Sequence, residues 1–205
     1  MNPKQGHILY LHGFLSSPHS QKAQQMQAYL ALNFPHIQLH LPQLSGKPAQ
    51  AIDQAERVFS TLLQQYQQEF LGVVGSSMGG FLAAHLLNTI SAQPKAVLIN
   101  PAVAPHRLFP DYVGEHTNPY TQEQFSLEAA DIRLVEQRYI ASIGQPQQFQ
   151  VWLETGDEVL DYQLAQNLYK DSECHVTHGG DHAYQNFVRE LPQICAFLAC
   201  ERFAQ

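Results

Sequence analysis

The sequence predicts an α/β fold, a mostly parallel sheet covered on both faces by helices. Three observations carry that expectation. Short apolar runs alternate with amphipathic helical patterns along the 205 residues. The runs are continuously apolar instead of strictly alternating, as expected of strands buried on both faces. The runs also end at turn signals: His12-Gly13, Pro42, Gly75-Ser76 and Asn100-Pro101.

The elements follow in order. Ile8 to Leu11 reads as a short buried strand, and Ser20 as the cap of a helix running to about Leu32. Ile37 to Leu41 is a second strand. Gly46-Lys47-Pro48 opens a long helix through Ala51, Ala55, Val58, Phe59, Leu62 and Leu63, with a Gln-rich solvated face. Leu71 to Val74 is a third strand, followed by a Gly/Ser turn and a helix to about Asn88, and Ala96 to Ile99 is a fourth strand. From Pro101 to Pro146 the alternation lapses into a Pro- and aromatic-rich segment with one periodic element, a helix over about Ser126 to Tyr139. Phe149 to Leu153 (strand), Tyr162 to Tyr169 (helix), Cys174 to Thr177 (strand) and Phe187 to Leu198 (helix) complete the chain. Pro192 is expected in the first turn of that last helix.

Composition narrows the function. Hydrophobic residues make up 44 % and charged residues 14 %, an ordinary globular balance that suits one domain. The net charge of −7 argues against nucleic acid as a partner and gives no reason to expect a clamp for anionic substrates. The three cysteines do not form a disulfide framework and suit a reducing cytoplasm. No stretch approaches a membrane span or the core of a signal peptide.

Ligands of parallel sheets bind beyond the C-terminal strand ends. Four such ends carry chemically useful residues: His12-Gly13-Phe14, Gly75-Ser76-Ser77-Met78-Gly79, Glu154-Thr155-Gly156-Asp157-Glu158 and His178-Gly179-Gly180-Asp181-His182. The Gly/Ser turn is not a phosphate loop, because Phe81 and Leu82 stand where such a loop needs Lys and Ser/Thr. It does fit G-x-S-x-G, a sharp strand-to-helix turn that exposes a nucleophile between two glycines. Ser77 alone has glycines at both −2 and +2, so it is the candidate nucleophile and Ser76 a small neighbour.

A serine needs a base, and the base an orienting acid. His182 follows the last strand, and Asp157 lies just past Gly156 at another strand tip, giving the chain order Ser77, Asp157, His182. Asp161 ranks second as the acid. Asp181 ranks last, since adjacent side chains rarely align. A metal site at Cys174, His175, His178 and His182 is disfavoured because Gly179-Gly180 breaks any helix between the last two histidines.

These residues resemble the α/β-hydrolase superfamily, and more closely a YqiA-like group of small bacterial esterases. The shared pieces are YLHGFLSSPHSQKA (10–23), GSSMGG (75–80), NPAVAP (100–105), TNPYT (117–121), TGDEVLDY (155–162) and GGDHAY (179–184), spread over nearly the whole chain. The resemblance implies an esterase or thioesterase acting on a small-molecule acyl ester or thioester, with Ser77, Asp157 and His182 catalytic. The residues alone leave open a hydrolase of another bond, such as an amide, a C–C bond or a peracid, or a relative that binds a ligand or partner without catalysis. It implies oxyanion donors at the backbone N–H groups of Phe14 and Met78, with neither cofactor nor metal. This sequence departs from the larger superfamily at its N-terminus: only seven residues precede the first strand, so the usual leading hairpin is expected to be missing, leaving a compact sheet of six or seven strands with a small cap over residues 101–146.

Overall fold

The computed structural model describes residues 4–88, 90 and 94–203. Strands β1 (Gly6–Leu11), β2 (Ile37–His40), β3 (Phe70–Ser76), β4 (Lys95–Ile99), β7 (Phe149–Glu154) and β8 (Glu173–Thr177) form one sheet in the order β2-β1-β3-β4-β7-β8. Every pairing in it is parallel. Registers from β3 to β8 align in one row, Ser76 opposite Ile99, Ile99 opposite Trp152 and Trp152 opposite His175.

The continuous apolar runs have a simple cause: the four inner strands, β1, β3, β4 and β7, bury both of their faces, whereas the edge strands β2 and β8 are partly exposed. Leu9, Leu11, Val73, Leu98 and Val151 pack against helices α2 (Pro48–Tyr66) and α3 (Met78–Asn88). Ile8, Tyr10, Val74, Val97 and Trp152 point the other way, toward α1 (Gln21–Asn33) and α6 (Phe187–Phe197). α2 starts as its sequence predicts, with Pro48 in its first position, where a missing N–H costs nothing. Ser20 occupies the N-cap position of α1 but its side chain makes no capping bond. Helix α5 (Tyr162–Leu168) links β7 to β8.

Two expectations are corrected. Between β4 and β7 the helix expected over Ser126 to Tyr139 is shorter, and its start belongs to a strand. β5 (Gly114–Thr117) and β6 (Gln124–Leu127) form an antiparallel hairpin, and α4 spans Ala129–Glu136. Phe125 and Leu127 are both buried, a period-2 pattern, and α4 begins at a capping box between Glu128 and Asp131. The second correction concerns Pro192, which lies inside α6 at its sixth residue. Proline there removes a helical bond at a cost of about 3 kcal/mol. Full burial of Phe187, Leu191, Ile194 and Cys195 offsets that, at roughly 1.5–3 kcal/mol for each large apolar side chain. Among the described residues no helix is long and apolar enough to cross a membrane.

Candidate active site

The turn from β3 into α3 holds Ser77 in the left-handed region, with φ of +56°. Its N–H donates to the Ile99 carbonyl at 3.1 Å, and its own carbonyl accepts from Gly80 at 2.9 Å and Ala102 at 3.0 Å. The strained residue is thus held from β4 and the chain beyond it. Close approach explains the flanking glycines. A Cβ at Gly75 would stand 2.2 Å from the Gly79 carbonyl oxygen, and one at Gly79 would stand 1.9 Å from that of Leu11.

The loop after β8 brings His182 to this turn. Ser77 Oγ lies 3.0 Å from His182 Nε2. On the other side of the ring, Nδ1 lies 2.8 Å from Asp157 Oδ2 and 3.0 Å from Oδ1. An ionised carboxylate only accepts, so Nδ1 carries the proton and Nε2 faces the hydroxyl as an acceptor. Asp157 is fixed further: its side chain is 2 % exposed, and Oδ1 accepts the N–H groups of Val159 at 2.9 Å and Leu160 at 2.8 Å.

The competing acids and histidines have other work. Asp161 caps α5, accepting from the Gln163 N–H at 2.9 Å. Asp181 Oδ2 accepts from the Gln185 amide at 2.8 Å. His175 stacks on Trp152 at 4.0 Å between ring centroids and pairs with Glu173 at 2.8 Å.

Residues 12–17 cross directly over Ser77: a Cβ on Gly13 would lie 3.2 Å from Ser77 Cβ. His12 is buried, donates from Nδ1 to the Gly13 carbonyl at 3.0 Å and accepts the Leu44 N–H on Nε2 at 3.0 Å. Burial holds it below the ordinary histidine pKa, so its neutral ring acts as a structural pin. The Phe14 ring sits among Phe109, Tyr112, His116 and Phe125, with centroids 5.2 to 6.1 Å away. Buried Asn118, beyond β5, donates to the Ser16 carbonyl at 2.9 Å. The hairpin between β4 and β7 therefore holds the loop that carries the Phe14 N–H. Met78 is the first residue of α3, where a backbone N–H has no partner within the helix.

Sequence reasoning missed the residues that support His182. Asn100, at φ +39° and 2 % exposed, joins three strand ends. Its Nδ2 donates to the Asp181 carbonyl at 3.0 Å, and its Oδ1 accepts the Glu154 N–H at 3.0 Å. Glu154 is fully buried and accepts the Asp181 N–H at 2.9 Å. Burial pushes its carboxyl up, against the opposing effect of that N–H. Glu158 accepts the His182 N–H at 3.0 Å. The available signal was an acid ending an apolar strand, since Glu154 closes FQVWLE. A cleft of about 300 Å³ opens at Ser77 and His182, with Phe14, Ser20, Lys22 and Tyr120 on its walls.

The parallel sheet, the sharp turn at Ser77 and the loops beyond the strand ends define the α/β-hydrolase fold. Within it, the chain belongs to UPF0227, an uncharacterised protein family whose model matches residues 7–199. Solved structures agree on the fold. A putative hydrolase from Agrobacterium vitis S4 is 20 % identical at a TM-score of 0.68, covering 97 % of this chain and 91 % of that one. Est1E from Butyrivibrio proteoclasticus with ferulic acid bound is 12 % identical at 0.69, covering 100 % and 92 %. The esterase domain of a Rhodothermus marinus protein is 15 % identical at 0.68, covering 98 % and 89 %.

Proposed function

We propose that this protein is a serine esterase or thioesterase working through an acyl-enzyme, with Ser77, His182 and Asp157 catalytic. The observation that carries the proposal is the unbroken hydrogen-bonded line Ser77 Oγ, His182 Nε2, His182 Nδ1, Asp157 at 3.0 and 2.8 Å, built on a strained turn. The esterases among the structural relatives support the same reaction class.

Ser77 Oγ attacks the acyl carbonyl carbon as His182 Nε2 takes its proton. Negative charge gathers on the carbonyl oxygen and is met by the N–H groups of Phe14 and Met78. Asp157 stays ionised and stabilises the imidazolium. The tetrahedral species expels an alkoxide or thiolate, which leaves with the proton from His182. Water then attacks the acyl-serine, giving its proton to His182, and the acid departs with Ser77 restored. The segment over residues 101–146 is a small cap within one domain, and the free thiols of Cys174, Cys195 and Cys200 fit a reducing cytoplasm.

Labelling by a fluorophosphonate probe and hydrolysis of 4-nitrophenyl esters test this reading. Ser77→Ala removes both signals with the fold intact, and Ser76→Ala changes them little. Asp157→Asn lowers kcat by about 10³–10⁴-fold because the imidazole loses its orienting acceptor. Asp161→Asn leaves kcat near the parent value. Near-normal activity in Ser77→Ala would sink the mechanism, and a crippled Asp161→Asn beside an active Asp157→Asn would reassign the acid.

A further inference from the structure

The chemistry above leaves one charged group in the cleft unused. Lys22, in the first turn of α1, lines the cleft together with Ser77 and His182. Its ammonium donates to the Ala183 carbonyl at 2.6 Å, which leaves it two further protons to give. Among the described residues lining the cleft it is the sole Lys, Arg, Asp or Glu. No carboxylate of the described residues approaches it within 4.0 Å.

Three acids nevertheless support its charge from a distance. Burial lowers the Lys22 pKa, and Asp181, Glu154 and Asp157 oppose that drop. Each of the three has at least one oxygen engaged elsewhere, although Glu154 Oε1 and Asp181 Oδ1 have no hydrogen-bond partner among the described residues. Asp157 holds His182, Glu154 holds the Asp181 N–H, and Asp181 holds Gln185. The rest of the wall is mixed. Ser16, Ser20, Gln21 and Tyr120 are polar, whereas Tyr10, Phe14, Leu15 and Ala183 supply carbon. A volume of about 300 Å³ is at the small end for ligand sites. The chain's net charge of −7 does not by itself prevent anion binding here, because surface charges remote from the cleft are screened beyond about 8 Å in physiological salt, while the nearby Asp181, Glu154 and Asp157 keep the ammonium charged.

Building on the esterase reading, we propose that Lys22 selects small esters or thioesters that carry a carboxylate a few bonds from the scissile carbonyl. The carboxylate takes the two free ammonium protons, with the hydroxyls of Ser16, Ser20 and Tyr120 on hand for its remaining lone pairs. The bond to Ala183 gives Lys22 a second role as a tether for the His182 loop. The two roles separate experimentally: tethering affects all substrates alike, and recognition changes the ratio between them.

The test compares kcat/KM for matched pairs. On the acyl side these are 4-nitrophenyl hemiglutarate and 4-nitrophenyl butyrate. On the alcohol side they are 3-carboxyphenyl acetate and phenyl acetate. The wild-type protein should favour the carboxylate member of at least one pair by about 10- to 100-fold, the value of a hydrogen-bonded charge contact. Lys22→Met should bring that ratio to about one, and Lys22→Arg should retain most of it. No carboxylate preference in either pair overturns the proposal, as does an equal fall of both members in Lys22→Met, which leaves a tether alone. Calorimetric binding of monomethyl glutarate and methyl butyrate to Ser77→Ala separates this inference from the reaction itself. Lys22-dependent binding of the hemiester without turnover in the parent would refute the esterase reading and uphold the anion site. Equal binding of the two esters would refute the anion site whatever the turnover.

Discussion

Replacing Asn100 by alanine is the sharpest probe of how the His182 loop is held. The side chain accepts from Glu154 N–H and donates to the Asp181 carbonyl, both at 3.0 Å, with a weaker contact to the His182 carbonyl at 3.4 Å. Truncation leaves two main-chain groups unpaired at a site 2 % exposed, each costing about 1–3 kcal/mol. Alanine also inherits φ of +39°, which asparagine tolerates better, adding about 1 kcal/mol. A loss of about 4 kcal/mol lowers the melting midpoint of a 205-residue chain by roughly 10 °C. Asn100→Gly loses the same bonds without the strain, so it should melt a few degrees above Asn100→Ala. The slack in the His182 loop should lower kcat by about 10- to 100-fold, since misplacement of about 1 Å costs that much. Calorimetry and ester hydrolysis below the lowered midpoint read both effects. A melting temperature within about 2 °C of the parent, with kcat unchanged, would refute the view that Asn100 joins the strand ends to the His182 loop.

Two further outcomes follow from other parts of the molecule. Under the proposed mechanism Phe125→Leu loosens the aromatic nest around Phe14, so kcat should fall with KM nearly unchanged, because the proposed oxyanion donor there acts on the transition state. Steady-state kinetics decide, and a raised KM at constant kcat would mean that the nest shapes substrate binding instead. At the far end of the sheet, His7 bonds His40 at 3.0 Å and stacks on Tyr66 at 3.5 Å. Burial, helped by His40 and opposed by Glu69, lowers the His7 pKa from 6.5 to about 4. The unfolded chain takes that proton near pH 6.5 and the folded one near 4, so stability holds above pH 6.5 and falls as pH drops toward 4. Urea unfolding at pH 7, 6 and 5 measures the slope, which His7→Gln should flatten; equal slopes would place the effect elsewhere.

The parallel sheet was legible in the sequence because its four inner strands bury both faces and therefore read as unbroken apolar runs. The Gly/Ser turn was legible for a similar reason, since the close backbone contacts at Gly75 and Gly79 admit no side chain. The hairpin was not. Its second strand is four residues long, and Phe125 and Leu127 also fit the helical pattern that follows. Pro192 misled because local propensity yielded to the burial of a whole helix face. Asn100, Glu154 and Lys22 stayed hidden for another reason. Each acts on a segment 54 or more, 27 and 161 residues away, and only the assembled fold sets those distances.

The aligned row from Ser76 through Ile99 and Trp152 to His175 has an evolutionary consequence. The spacing between the turn of β3 and the loop beyond β8 is ruled by main-chain ladders, whose repeat is indifferent to side-chain identity. Residues filling the two cores can drift, provided volume and polarity are kept, without moving one strand end relative to another. Structural relatives sharing only 12 to 20 % of their residues with this chain still superimpose over nearly all of it. In such a frame the spacing of the strand ends belongs to the main chain, not to the side chains that fill the two cores.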